Sequence, residues 1–93
     1  MRKFYLISFD ISSDKIRRKV VKMLENCAVR VQKSVFEGWL TDKQYIELKS
    51  KTDNLIDFET DSVRYYQLCQ NCANNVRISG FGLYTEKEEL IVL

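Results

Sequence analysis

Histidine is absent from this 93-residue chain, which removes the side chain most often used as a general base near neutral pH. Proton transfer would fall to a carboxylate, an amine, a phenol, or a water made acidic by a bound metal. Proline is also absent and glycine occurs only three times, which excludes collagen-like and low-complexity classes. The apolar run at residues 4–9 is short and stops at Asp10. It is too brief for a signal-peptide core or a membrane span, so a soluble cytoplasmic protein is expected. Cysteine is scarce and odd in number: Cys27, Cys69 and Cys72. Cys69 and Cys72 have metal-ligand spacing, but zinc would need Cys27 or a second chain's pair to complete its shell. A redox pair and plain thiols are the other readings, plain thiols being the simplest.

What is present makes one small domain. A chain of this length buries only somewhat more than roughly 60% of its unfolded surface, so association with a second copy has a physical motive. The net charge of +2 is unevenly placed. Residues 1–51 hold 12 Lys/Arg against 6 Asp/Glu, or +6; residues 52–93 hold 3 against 7, or −4. A basic front half suits a polyanion, and an acidic back half suits a basic protein surface.

Residues 3–9 read as a strand delivering Asp10 to its end. Ser12 or Ser13 can cap a helix over 14–26. At about 100° per residue, Ile16, Val20, Met23, Leu24 and Cys27 form its core stripe. Lys15, Arg18, Lys19 and Lys22 cluster on another side, and Arg17 stands apart at the edge of the stripe. Asn26 is expected to supply a left-handed turn at the helix end. Strands are expected over 29–32 and 34–40. Thr41-Asp-Lys-Gln44 fits a capping box for a helix through about residue 55, with Tyr45, Leu48, Thr52, Leu55 and Ile56 on its core side. A polar loop to Asp61 precedes a strand over 63–68, and a weaker one is expected over 76–79. The order β-α-β-β-α-β predicts an α+β, ferredoxin-like domain: one antiparallel sheet with both helices on one face. The apolar tail at 89–93 would add an extra C-terminal strand, either within its own chain or to a second copy's sheet edge.

An aspartate at a strand end can serve as an Asx turn or as a metal ligand. Mg²⁺ commonly takes one or two protein carboxylates and keeps several waters, so one Asp10 per chain, paired across a two-fold axis, would suffice. Asp14 suits the first turn of the helix, where the dipole favours an acid. The basic face has spacing suited to phosphate contacts, which position a nucleic acid without reading its sequence; a merely solvated face is the alternative. Arg30 and Lys33 could extend that surface. Tyr5, Phe9, Phe36, Trp39, Tyr65 and Tyr66 are expected to be mostly core. No Arg/Lys-Gly-aromatic-Gly/Ala-Phe-Val run occurs, which argues against base stacking across the sheet as in RNA-recognition modules.

Three segments stand together: Phe9-Asp-Ile-Ser-Ser-Asp-Lys-Ile-Arg-Arg18, Arg30-Val-Gln-Lys-Ser-Val-Phe-Glu37 and Asp61-Ser-Val-Arg-Tyr-Tyr-Gln-Leu68. In order and spacing they closely resemble the small CRISPR-associated endoribonuclease family, the minor partner of the CRISPR spacer-adaptation pair. The resemblance covers residues 4–72 well and the tail loosely. It implies a ferredoxin-like homodimer in which Asp10 of both chains forms a Mg²⁺ or Mn²⁺ site and is catalytic. It also implies that Arg17, Arg18 and the segment from Arg30 to Phe36 lie near nucleic acid or support the site, with Ser34 and Phe36 as supporting residues. Relatives often carry tyrosine before the aspartate and glycine after the first helix; here Phe9 and Asn26-Cys27-Ala28 stand in those places.

The expected function is therefore a CRISPR adaptation subunit. It would bind duplex DNA as a homodimer and scaffold the larger integrase. A metal-dependent endonuclease activity on single-stranded RNA or duplex DNA would accompany that role. A free-standing messenger-cleaving toxin on the same fold is the alternative.

Overall fold

The computed structural model describes residues 1–69. Strand β1 (Arg2–Asp10) leads into helix α1 (Asp14–Glu25), a hairpin of β2 (Val29–Gln32) and β3 (Val35–Thr41), helix α2 (Asp42–Leu55) and strand β4 (Ser62–Leu68). The four strands form one antiparallel sheet in the order β2-β3-β1-β4. Two helices on a four-stranded antiparallel sheet in this order are consistent with the ferredoxin-like fold. Cys72, the weak strand at 76–79 and the tail strand at 89–93 lie outside the described residues.

The sheet's two faces follow from strand alternation. Tyr5, Ile7 and Phe9 of β1 are buried with Phe36 and Leu40 of β3, Val20 and Leu24 of α1, and Leu48 of α2. Both helices therefore share this face. The register opposes Ile7 to Phe36 and Tyr5 to Gly38, so a side chain at position 38 would point at the helices. The α1–β2 turn occupies that space: a Cβ on Gly38 would sit 3.1 Å from the Ala28 Cα, the Ala28 Cβ and the Cys27 carbonyl oxygen. Glycine here is a packing requirement. Tyr45 of α2 stacks on Tyr5 (centroids 4.9 Å apart) and meets Tyr65 of β4 edge-on at 5.4 Å, which ties α2 across two strands. On the opposite face Phe4 and Trp39 pack together with Leu68.

Helix α1 begins at Ser13, whose hydroxyl accepts from the Ile16 amide at 3.3 Å; of the two candidate caps, the second is used. Helix α2 begins with the expected capping box, the Thr41 hydroxyl accepting from the Gln44 amide at 3.1 Å and the Gln44 side chain accepting from the Thr41 amide at 2.8 Å. The end of α1 corrects one expectation. Asn26 has φ −74° and ψ −18°, right-handed rather than left-handed. The chain keeps winding, with the Cys27 and Ala28 amides both donating to the Leu24 carbonyl, so no residue with positive φ is needed at position 26. The Cys27 thiol donates to the Met23 and Leu24 carbonyls at 3.7 Å, and burial raises its pKa. It is a packing group held in the protonated form. Among the described residues no helix is long and apolar enough to cross a membrane.

Candidate nucleic-acid and metal site

β1 is the strand between β3 and β4, and Asp10 is its last residue. Phe9 turns into the core, so Asp10 points the other way and is exposed. Its carboxylate has no hydrogen-bond or ion-pair partner among the described residues. Just beyond it, buried Ile11 pins the chain to the core, and three polar contacts hold the corner into α1. Arg17 Nη1 donates to the Ile11 carbonyl at 2.8 Å, and its other terminal nitrogen pairs with Asp14. The Ser12 amide donates to Asp61 Oδ1 at 3.0 Å. On the β3 side the Phe9 amide donates to the Ser34 carbonyl at 3.1 Å.

A cleft of about 1000 Å³ opens beside this corner, between α1, the end of β1 and the β2–β3 turn. Lys15, Arg17, Arg18, Lys19, Lys22, Arg30 and Lys33 all line it, with Asp10 and Ser34. The fold thus brings every cation singled out in the sequence to one place. Lys15, Arg18, Lys19 and Lys22 are exposed along one side of α1, while Arg17 is half-buried and committed to the corner. The N-terminus of α1, which carries the positive end of the helix dipole, holds Asp14 in its first turn.

Arg30 is the last residue of β2 paired with β3 before a break in register. The register of β2 against β3 shifts between Arg30 and Gln32, leaving Val31 unpaired, and such a shift re-aims side chains. Arg30 Nε then donates to the Lys33 carbonyl at 3.1 Å, and the guanidinium lies 5.8 Å from the Phe36 ring centre. Phe36 is fully buried and is not among the residues lining the cleft.

Asp61 and Arg64, given no role by their sequence pattern, and Tyr66, expected in the core, also lie near the site. Asp61 holds the Ser12 amide and takes two more hydrogen bonds, from the Asp57 amide at 3.0 Å and the Thr60 hydroxyl at 3.1 Å. These bonds, the Ser12 one foremost, hold its carboxyl below the ordinary carboxylate value. Arg64 and Tyr66 share Asp10's face of the sheet, because Val63 and Tyr65 turn toward the helices and Asp10 opposes Ser62. Tyr66 is 45% exposed rather than core, and its hydroxyl raises the Arg64 pKa by a hydrogen bond. Period-two alternation along β4 was the available signal for this pair; for Asp61 it was an acid in the turn just ahead of a strand.

The family model described as "CRISPR associated protein Cas2" matches residues 1–76. A relative from Chloroflexus aurantiacus, named CRISPR-associated endoribonuclease Cas2 1, is 46% identical over 80 residues, covering 85% of this chain and 86% of its own. Among solved structures, Cas2 of Streptococcus pyogenes superposes with a TM-score of 0.73 at 32% identity, over 83% of this chain and 99% of that one. A homologue in a partial Cas6-RT-Cas1–Cas2 complex matches with a TM-score of 0.69 at 32% identity, over 82% of this chain and 83% of that one. Fold and sequence agree, and this chain belongs to the Cas2 family of CRISPR-associated proteins.

Proposed function

We propose that the protein acts as a homodimer that binds duplex DNA along its basic cleft. In this reading it bridges copies of Cas1, the larger integrase subunit, during spacer capture. Paired Asp10 carboxylates, one from each chain, would hold Mg²⁺ or Mn²⁺ for hydrolysis of a phosphodiester bond in RNA or DNA. The observation that carries the proposal is the cleft itself, where seven cations converge on the rim that bears Asp10.

The donor chemistry fits the ion. The Asp10 oxygens are hard ligands, exposed and uncommitted, and no cluster of three potential ligands exists among the described residues. In this reading each chain contributes one Asp10 carboxylate, which suits an ion content with one or two. When bound, the metal supplies an acidified water and neutralises charge that builds on the phosphoryl oxygens. The chain's own residues do the rest. Lys15, Arg18, Lys19 and Lys22 hold the backbone phosphates without reading sequence. Arg17 is spent on holding the Ile11 carbonyl and Asp14, so it keeps the corner in place beneath the nucleic acid. Arg30 and Lys33 close the far side of the cleft. The absence of histidine agrees with chemistry that leaves the base role to metal-bound water. Relatives named as endoribonucleases, and a homologue found together with Cas1, support both parts of the reading.

The test is assembly. Light scattering of the protein alone, with a duplex of random sequence, and with Cas1 should give a dimer, a dimer on DNA, and a larger complex containing both proteins. A monomer that ignores duplex and Cas1 would overturn the proposal.

A further inference from the structure

At Asp10 the sheet stops. Its last ladder partner is Ser62 on β4, while pairing with β3 ends at Ser8 opposite Val35. A strand end in this position is free to fray, and a metal-binding carboxylate there needs something to fix its backbone. Ile11 does part of this by burial, and Arg17 by holding the Ile11 carbonyl. The next group along, the Ser12 amide, is held by a residue nearly fifty positions away in sequence, Asp61.

Asp61 sits in a turn that is rigid in its own right. The Asp57 carbonyl accepts from the Thr60 and Asp61 amides, and Asp57 Oδ1 accepts from the Glu59 amide. The Asp61 carboxylate bonds back to the Asp57 amide and the Thr60 hydroxyl, and then reaches across to Ser12. The turn is thereby a fixed post against which the β1–α1 corner is braced. It also opens β4, whose first residue, Ser62, pairs with Asp10.

We infer that Asp61 is a positioning residue for Asp10: by clamping the Ser12 amide to a rigid turn, it sets where the Asp10 carboxylate and the first turn of α1 stand relative to each other. This rests on the reading of Asp10 as a metal ligand. Outer residues that orient a ligand typically change metal affinity or activity by about tenfold to a hundredfold when removed. A residue that merely stabilises the fold does not change them in protein that remains folded.

The experiment uses the full chain and two variants that cut the same bond from opposite ends. Asp61→Ala removes the acceptor; Ser12→Pro removes the donor, since proline has no N–H, and leaves the 57–61 turn intact. Each is compared with wild type and Asp10→Asn for Mn²⁺ affinity by electron paramagnetic resonance and for kcat and KM in cleavage. Each variant should weaken Mn²⁺ binding and lower kcat about tenfold or more, with KM changed less than about twofold. The salt dependence of duplex binding should not move, because every cleft cation is retained. The double variant should be no worse than the worse single one, as expected for two halves of one interaction. Folded variants with wild-type Mn²⁺ affinity and kcat would overturn the inference, and Ser12→Pro decides it if Asp61→Ala does not fold. If Asp10→Asn itself binds Mn²⁺ and cleaves like wild type, the metal reading fails and this inference falls with it. Losses in Asp10→Asn but in neither corner variant overturn this inference alone.

Discussion

Replacing Lys15, Arg18 and Lys22 together by Gln should change how duplex binding responds to salt, by an amount that the structure sets. All three are exposed, line one cleft and make no ion pair or side-chain hydrogen bond among the described residues. Their loss should therefore leave stability within about 0.5 kcal/mol, as for surface positions generally. Each phosphate contact contributes about −0.9 to the slope of log affinity against log salt on B-form DNA. Three lost contacts flatten the slope by about 2.7. Between about 50 and 200 mM salt, wild-type affinity should then fall ~40-fold further than that of the variant. Fluorescence anisotropy with two unrelated duplexes across that range measures the slope directly, and both duplexes should respond alike. An unchanged slope with wild-type affinity would show that the α1 face is solvated surface and that DNA binds elsewhere.

Three further outcomes follow from the packing and caps. Gly38→Ala should destabilise the fold by about 1–3 kcal/mol in chemical denaturation, because the added methyl meets the backbone of Ala28 and the Cys27 carbonyl at 3.1 Å; a neutral result would mean that the α1–β2 turn moves freely. Thr41→Ala should cost about 0.5–2 kcal/mol by opening the capping box of α2, with Gln44→Ala costing less than the sum when the two are combined. The carboxyl of Asp61 is depressed by its hydrogen bonds, so its contribution to stability is complete above the unfolded value of about 3.9. That contribution disappears as the pH falls through the lower folded value. The stability gap between wild type and Asp61→Asn should therefore be constant from neutral pH down to about 3.9, narrow progressively below it and be closed beneath the folded value; a gap that closes near neutrality would contradict the assignment.

The elements were legible because local signals agreed with each other. Ser13, the Thr41–Gln44 box and the alternation of Tyr5, Ile7 and Phe9 each point to the element observed, within a residue or so at its ends. The cleft cations were legible as a helical face plus a hairpin. Their convergence required the sheet order, which carries the β2–β3 turn to the side of α1. Asn26 misled because a helix end can stay right-handed when the following amides still find a carbonyl, here that of Leu24. The Arg17–Asp14 pair is an i,i+3 contact that helix spacing encodes, but the contacts of Arg17 with the Ile11 carbonyl and of Asp61 with the Ser12 amide depend on how a loop closes in space. Residue type and spacing do not encode that. Tyr66 was assigned to the core by hydrophobicity, whereas strand alternation places it outward with Arg64.

The most direct measurement compares wild type and Asp10→Asn, both verified as folded and of equal oligomeric state, in single-turnover cleavage with and without Mn²⁺. The substitution replaces a charged oxygen ligand by a neutral amide of equal size at an exposed strand end, so the fold should be unchanged and duplex affinity should not fall. Cleavage by wild type should require the metal, and the variant should lose at least about a hundredfold in rate, ~2.7 kcal/mol of barrier. Equal rates for the two proteins, or cleavage that persists without metal, would contradict the assignment of Asp10 as the metal-binding residue of this site.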